Sequence, residues 1–291
     1  MTRSIVTGLL GLISVVAVGI LPIACQSGGV GDPCIPEDEY NPQFAGFKVT
    51  EENIESRSFQ CQTRICLVNH FQGRVSCPLG QLPPTACSGP GDDALCMGGK
   101  CVEAATLSPD CNPDADDKGA GACAGFGGVC NAAKRACECG QTADCPNGSY
   151  CDATTKECKT YVCHKPGDCQ IGDGSEEDNT GKACCVPGTD TPIAAPVCGQ
   201  CNQDSTRDAE KAVYCSCRCG VAEGEPEDEN FNFCDCPSGF ECKEIRKNVG
   251  LGDKQITGKY CIKLGSEFKS EQDCGQVKGY FNSQQCKGIG L

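Results

Sequence analysis

The longest apolar stretch of the chain lies at its beginning. Residues 5–23 carry no charged side chain and follow a short start that contains Arg3. A positively charged start and an uncharged apolar middle are typical of a secretory signal peptide. The stretch also approaches the roughly 20 apolar residues that a membrane-spanning helix needs. We therefore expect residues 1–24 to be a signal peptide. An uncleaved membrane helix and cleavage at another position are the alternatives.

Beyond this stretch the apolar runs are short, and their pattern favours strands over helices. The run Arg64–Phe71 is apolar and is followed by Gln72-Gly73, which predicts a strand that leads into a turn. Residues 254–265 predict another strand, with one face formed by Ile256, Gly258, Tyr260 and Ile262. Helix signals are weak throughout, and residues 210–214 predict a single helical turn.

Cysteine content sets the fold class. The chain has 31 cysteines together with 37 glycines and 17 prolines, and large apolar residues are sparse. In an exported chain such a cysteine density indicates a disulfide scaffold, in which each bridge contributes about 2–4 kcal/mol to stability. We expect a small disulfide-rich fold, mainly β-hairpins and loops in several small crosslinked modules, with little helix beyond the signal peptide.

Cysteine spacing and polar stretches divide the chain into segments. Short stretches of Cys, Gly and polar residues recur at 96–101, 123–139 and 144–158, which indicates degenerate repetition of small two-stranded units. The predicted segments are a flexible tether at 25–33, an N-terminal Cys-rich module at 34–107, a Cys-rich repeat region at 108–186, a linker at 187–197 and a C-terminal Cys-rich module at 198–291.

The charge balance excludes some classes of binding partner. The formal net charge is −14, so the chain should not seek nucleic acid or anionic surfaces by charge. An acidic chain of this kind stays in solution and attracts cations.

The end of the apolar stretch carries a recognisable pattern. Pro22-Ile23-Ala24-Cys25 resembles the lipobox of bacterial lipoproteins, although Pro22 stands where Leu is usual. The resemblance implies that Cys25 is lipidated and becomes the N-terminus after cleavage. Removing Cys25 from the 31 cysteines leaves an even number for disulfides. Gln26, rather than Asp, follows Cys25, which in the sorting rule of some bacterial lipoproteins favours the outer membrane.

Residues 139–185 show a second resemblance. They contain Cys145-Pro146-Asn147-Gly148-Ser149-Tyr150-Cys151 and end in the adjacent pair Cys184-Cys185. This spacing resembles the N-terminal cysteine-rich domain of Dickkopf-type secreted proteins, which implies a disulfide framework there but not their signalling activity. The whole layout resembles cysteine-rich surface lipoproteins of the myxobacterial type, which implies a location more than an activity.

Candidate sites for chemistry are few. Asp110, Asn112, Asp114 and Asp116 place oxygen ligands at alternate positions, as calcium loops do, but Ala115 replaces the turn glycine and no glutamate closes the loop. A solvated acidic run is the simpler interpretation. We therefore expect no cofactor, with calcium at these four residues as the alternative.

Cysteine and histidine chemistry offers weaker candidates. Cys215, Cys217 and Cys219 alternate as thiolate ligands can, but we expect each to form a disulfide elsewhere, because neighbours two residues apart on a strand bridge poorly. Cys198-Gly199-Gln200-Cys201 has the spacing of a dithiol redox pair without the surrounding fold of one. His70, after an apolar strand, and His164, in a polar turn, lack a catalytic constellation.

These observations favour a structural or interaction protein over an enzyme. We expect an exported chain, anchored to a membrane by lipid at Cys25 and held at the outer membrane or cell surface of the envelope. Its partner there would be a protein or polysaccharide and not nucleic acid. A calcium- or metal-binding envelope protein and a dithiol oxidoreductase are the alternatives.

Overall fold

The fold is built from short antiparallel strands. The computed structural model describes residues 28–172, 175–226, 232–246 and 256–279, so the predicted signal peptide and Cys25 lie outside the described residues. The strands are β1 (Glu52–Glu55), β2 (Ile65–Asn69), β3 (Ala86–Cys87), β4 (Lys100–Leu107), β5 (Val129–Asn131), β6 (Ala136–Glu138), β7 (Tyr150–Cys151), β8 (Cys158–His164), β9 (Val213–Ser216), β10 (Arg218–Gly220), β11 (Phe240–Arg246) and β12 (Gly258–Lys263).

Helix is scarce in the described part of the chain. Two α-helices of one turn each are present, α1 (Glu176–Asn179) and α2 (Ala209–Ala212). Short 3-10 turns lie at Glu37–Tyr40, Asp93–Leu95, Ala124–Phe126, Thr142–Asp144 and Glu271–Cys274. The predicted small disulfide-rich fold of hairpins and loops is confirmed.

The strands form three small sheets and one separate hairpin. The first sheet has the order β1-β2-β9, and the second has the order β10-β12-β11. The third has the order β3-β8-β4 with β7 added to β8, and β5 pairs with β6 alone. All of these pairings are antiparallel.

Strand β2 lies at the centre of the apolar core. The predicted strand in 64–71 is confirmed, with both faces buried. Cys66 and Val68 pack on one side with Phe71 and the residues of β9. Leu67, on the other side, contacts a cluster that includes Tyr214 and residues of β12. A continuous apolar run suits a strand that is covered on both faces.

The other predicted elements are also present. Strand β12 confirms the strand expected in 254–265, with Tyr260 and Ile262 buried on one face. The helical turn expected at 210–214 begins and ends earlier, as α2. Its cap is Asp208, whose carboxylate accepts a hydrogen bond from the Lys211 backbone N–H at 3.0 Å. Val213 and Tyr214 already belong to β9, because both residue types favour strands and both pair with residues of β2.

One disulfide-linked unit recurs four times. In each copy four cysteines bond first to third and second to fourth, and the third and fourth face each other across two antiparallel strands. The units are Cys87, Cys96, Cys101 and Cys163; Cys111, Cys123, Cys130 and Cys137; Cys139, Cys145, Cys151 and Cys158; and Cys219, Cys236, Cys242 and Cys261. We call them the first to fourth hairpin units.

The turns of the second and third units are also alike. Asn131 and Asp152 each accept hydrogen bonds through Oδ1 from the backbone N–H groups two and three residues later. Arg135 and Lys156 then adopt positive φ angles of 54° and 62°. The expected repetition of two-stranded crosslinked units is therefore present, and it extends to the C-terminal part of the chain.

The predicted segment boundaries do not separate independent units. Cys77–Cys184 joins the predicted N-terminal module to the repeat region, and Cys61–Cys215 joins it to the C-terminal module. Strand β4 ends at the predicted boundary of 107/108 but pairs with β8 in the next segment. Each of these pairs packs in an apolar cluster that contains residues from both sides of a predicted boundary.

The predicted tether and linker both carry packed residues. Gly31 donates a backbone hydrogen bond to Cys215 O, and Cys215 donates one to Asp32 O, each at 2.8 Å. Residues 28–32 are thus bound to the body, which corrects the tether of 25–33 in this part. In the predicted linker of 187–197, Ile193 and Val197 are fully buried beside Cys77 and Cys184.

Candidate functional site

Disulfides occupy the cysteines of the described chain. Fourteen bridges are defined, and every described cysteine, Cys198 included, is disulfide-bonded. Besides the hairpin units, the bridges are Cys34–Cys66, Cys61–Cys215, Cys77–Cys184, Cys169–Cys185, Cys201–Cys274 and Cys217–Cys234. The prediction that Cys215, Cys217 and Cys219 pair elsewhere is confirmed.

Groups of cysteines nevertheless lie close together. The sulfur atoms of Cys111, Cys123 and Cys137, for example, are within 4.8 Å of one another. Crossed disulfides on a narrow hairpin bring sulfurs together in this way. A bonded sulfur is not a thiolate, which is the form in which cysteine binds metal.

The two cysteines with redox spacing are bonded to other partners. Cys201 is fully buried and bonds Cys274, so it does not bond Cys198. A dithiol cycle requires the two cysteines of the motif to form and break a disulfide with each other. The geometry of Cys201 therefore gives that chemistry no support.

The two histidines differ in their surroundings. The Nδ1 of His70 is 3.0 Å from Val49 O, its Nε2 is 3.1 Å from Glu52 Oε1, and its ring stacks on Phe268 at 3.7 Å. His164 is not in a polar turn but ends β8, where it is only 4% exposed. Neither ring nitrogen of His164 has a hydrogen-bond partner among the described residues. Burial lowers the pKa of His164, and the charge of Asp190 opposes that shift.

The calcium candidates form an exposed turn that is tied to a hairpin by arginine. Arg135 donates to Asn112 Oδ1 at 3.0 Å and pairs with Asp114 Oδ2 at 3.4 Å. Asp110 and Asp116 are exposed. The structure thus brings a guanidinium to two of the four oxygen ligands proposed for calcium, and these contacts use the oxygens that the ion would need.

The described surface has a groove that the sequence did not reveal. It has a volume of about 680 Å³ and is lined by Glu37, Tyr40, Glu55, Ser56, Arg57, Ser58, Phe59, Gln60 and Arg64. We call it the Phe59 groove. Phe59 is 83% exposed and Tyr40 is 48% exposed. Exposed aromatic side chains side by side with arginines are typical of binding surfaces.

The wall of the groove that carries Phe59 is firmly held. Ser58 N–H donates to Arg64 O and Arg64 N–H donates to Cys61 O, each at 3.0 Å. Arg64 has a φ of 64°, which a non-glycine residue adopts at a cost. The Cys61–Cys215 disulfide ties the loop to β9. The exposed Phe59 is therefore presented by an ordered loop, with the guanidinium of Arg64 over its ring at 4.7 Å.

The opposite wall is held by a buried carboxylate. Glu39 is fully buried, and its oxygens accept hydrogen bonds from Val75 N–H at 2.5 Å and Ser76 N–H at 2.9 Å. Burial raises the pKa of Glu39, and these hydrogen bonds oppose the shift. The guanidinium of Arg74 donates to Glu39 O. This network fixes the 3-10 turn on which Glu37 and Tyr40 lie.

The charges in the groove are mixed. Glu55 Oε2 accepts a hydrogen bond from Glu37 N–H at 3.0 Å. Partial burial raises the pKa of Glu55, and the nearby charges of Glu37 and Asp38 add to the shift. Arg57 and Arg64 are exposed, and neither has an ion pair within the described ranges. The groove thus offers cationic and anionic groups beside two aromatic rings.

The N-terminal segment runs directly past this loop. Gly28 N–H donates to Gln60 O at 2.7 Å, and Gln62 N–H donates to Gly28 O at 2.9 Å. The side chain of Gln60 makes two hydrogen bonds with the backbone of Ile35. Gln60, which follows Phe59, is therefore hydrogen-bonded to Gly28 through its backbone and to Ile35 through its side chain.

Comparisons with known proteins found no matching family model, no matching curated protein and no matching solved structure. In the described ranges, no helix is long and apolar enough to cross a bilayer. The resemblances drawn from residues 22–25 and 139–185 therefore stay predictions. Within 139–185, Cys163 and Cys184 bond Cys96 and Cys77, which lie outside that segment.

Proposed function

We propose that the chain is an exported, lipid-anchored, disulfide-stapled interaction protein of the cell envelope. The observation that supports this most is the oxidation of every described cysteine. Disulfides at this density persist outside the cytoplasm. The uncharged stretch of residues 5–23 that ends near Cys25 supplies an export signal and an anchoring residue.

The proposal includes an outer-membrane or cell-surface location and a binding role without catalysis. Small crosslinked hairpins resist proteolysis and present loops rigidly, which suits contact with a protein or polysaccharide partner. The net charge of −14 opposes a nucleic-acid partner.

Cysteine arithmetic makes the anchor testable. Cys198 is bonded, and the cysteines outside the described residues are Cys25 and Cys286. If the thiol of Cys25 carries lipid, the bond of Cys198 must be to Cys286. If Cys25 carries no lipid, Cys198 can bond either Cys25 or Cys286, and the other one is left without a partner inside the chain.

The test is the intact mass and the disulfide map of the protein from its own membranes, alkylated without reductant. We expect a chain that starts at Cys25 with acyl groups, a Cys198–Cys286 crosslinked peptide and no alkylated thiol. The Cys25→Ser variant is the control, and it should keep its first 24 residues and carry no acyl group. A Cys25–Cys198 peptide, or an alkylated Cys286, would contradict the proposal.

A further inference from the structure

The length of the chain keeps the proposed anchor at Cys25 close to the loop that carries Phe59. Cys25 precedes Gly28 by three residues, which limits the distance between their Cα atoms to about 11 Å. Gly28 itself is hydrogen-bonded on both sides to the backbone of Gln60 and Gln62. A lipid at Cys25 therefore holds the loop of residues 58–64 next to the bilayer.

The side chains of this loop suit the interface of a membrane. Phe59 and Tyr40 are exposed aromatic side chains. Tyrosine rings concentrate at the level of lipid headgroups, and phenylalanine occurs on the apolar face of segments that lie in the interface. Arg57 and Arg64 flank them, and long basic side chains reach phosphates while their methylene groups stay in the apolar layer. The guanidinium of Arg64 lies above the Phe59 ring, so a phosphate-binding group and an aromatic ring stand together in one contact.

The charges select the kind of lipid. A net charge of −14 repels a strongly anionic surface. The groove pairs two arginines with Glu37 and Glu55, which matches a headgroup that has both a phosphate and an ammonium group. A zwitterionic phospholipid surface offers both charges at the required depth.

We propose that the Phe59 groove is a membrane-docking face, with Phe59 and Tyr40 in the interfacial layer and Arg57 and Arg64 on the phosphates of zwitterionic phospholipids. This inference rests on the proposed lipid at Cys25. It adds a second attachment point, which fixes the orientation of the body on the membrane. A lipid chain alone would leave the body free to rotate.

Because the chain has no tryptophan, the fluorescence of a single introduced tryptophan reports the surroundings of that position alone. The Phe59→Trp variant, purified with its lipid and reconstituted in phosphatidylethanolamine–phosphatidylcholine vesicles, carries the single indole at the proposed depth. We expect a blue-shifted emission and strong quenching by brominated acyl chains. The matched control is Met97→Trp, at a fully exposed apolar residue between Cys96 and Cys101 of the first hairpin unit, which should show neither effect.

Charge reversal tests the phosphate contact. Arg57→Glu in the Phe59→Trp background should reduce the quenching, whereas Lys100→Glu, another exposed cation, should leave it unchanged. Equal quenching at positions 59 and 97 would overturn the docking, as would none at position 59. A response of the position-59 indole to added polysaccharide but not to bromine would overturn it as well and would make the groove a glycan site.

The same samples separate the two proposals. Their mass reports the acyl groups independently of the fluorescence. Acyl groups without quenching would overturn the docking and leave the anchor intact. A mass without acyl groups would overturn both, because the docking depends on the anchor.

Discussion

The third and the first hairpin units share one disulfide pattern but close their strands differently. In the third unit a short turn joins Cys151 to Cys158, and its second disulfide has a sequence separation of 13. In the first unit the equivalent strands are β4, which begins near Cys101, and β8, which ends near Cys163. The second and third units lie between these two cysteines in the sequence, and Cys158 of the third unit is on β8 itself. The equivalent disulfide there has a separation of 67.

This difference shows which features define the unit. The register of the third and fourth cysteines and the two crossed bridges are kept, whereas the connection is replaced. The entropy of closing a loop grows only slowly with its length, so a long insertion between paired strands costs little once crosslinks hold both strands. The insertion is also shortened by four disulfides of its own.

Removing the equivalent disulfide from each unit should give the largest effect. We expect the double variant Cys96→Ala, Cys163→Ala to lose about 4 kcal/mol of unfolding free energy and Cys145→Ala, Cys158→Ala to lose about 3 kcal/mol, because the longer loop restricts the unfolded chain more. Guanidinium denaturation of both variants measures the difference.

The order of the two losses is the critical result. A larger loss in the third unit would show that its bridge stabilises packing in the folded state rather than restricting the unfolded chain. Loop length would then not explain the difference in stabilisation between the two disulfides.

The residue after the fourth cysteine separates the units further. Lys159 occupies this position in the third unit, where it pairs with Glu103 at 3.0 Å and Asp152 at 3.2 Å. These partners raise the pKa of Lys159, and the largest cause is the hydrogen bond that Lys159 donates to Glu103. His164 occupies the position in the first unit, where it is buried and Asp190 and Asp168 are near enough to oppose the lowering of its pKa. Ile262 occupies it in the fourth unit, in an apolar cluster.

The His164→Ile variant carries the residue that the fourth unit has at this position. Its stability should no longer depend on pH in the way that the stability of the wild type does. Because burial lowers the pKa of His164 below its ordinary 6.5, the unfolded chain binds a proton before the folded chain does. Stability contributed by the neutral ring is therefore complete above pH 6.5 and is lost as the pH falls towards the folded pKa, by at most about 1.4 kcal/mol per pH unit.

The measurement is the thermal midpoint of wild type and His164→Ile between pH 7.5 and 5. We expect the variant to be as stable as wild type at pH 7.5 and progressively more stable than wild type below pH 6.5. Parallel curves over the whole range would mean that His164 takes up its proton in the folded state without a penalty.

The sequence predicts the elements of this fold better than their assembly. The strands β2 and β12 follow from uninterrupted or alternating apolar residues, and the repetition in the second and third units follows from similar spacing. The first unit is hidden because its fourth cysteine, Cys163, lies beyond the insertion. The fourth unit is hidden because an additional bridge joins Cys217, just before the unit, to Cys234, between its first and second cysteines.

The Phe59 groove could not be predicted for a different reason. Its residues lie between 37 and 64 in no recognisable motif, and an isolated phenylalanine is more often buried than exposed. Its exposure depends on the positive φ of Arg64, on the bridge from Cys61 to β9 and on the buried Glu39 opposite. None of these relations has a signature in local sequence.

The smallest expected effect concerns the equivalent turn residues of the second and third units. Arg135 pairs with the exposed Asp114, whereas Lys156 has no ion pair in the described part of the chain. Both have positive φ, so replacement by alanine changes the backbone cost equally. We expect Arg135→Ala to be less stable than Lys156→Ala by under about 0.5 kcal/mol, because exposed ion pairs contribute little.

Chemical denaturation at low and high salt measures this difference, which salt should remove. A difference above about 1 kcal/mol that persists in salt would show that Arg135 anchors the whole turn of residues 110–116 to the hairpin.

Repeating the comparison with millimolar calcium tests whether the turn of residues 110–116 binds calcium. Since Arg135 occupies oxygens of Asn112 and Asp114, a calcium loop would be stabilised most in the Arg135→Ala variant. Equal midpoints with and without calcium in both variants would rule out a calcium site at these residues.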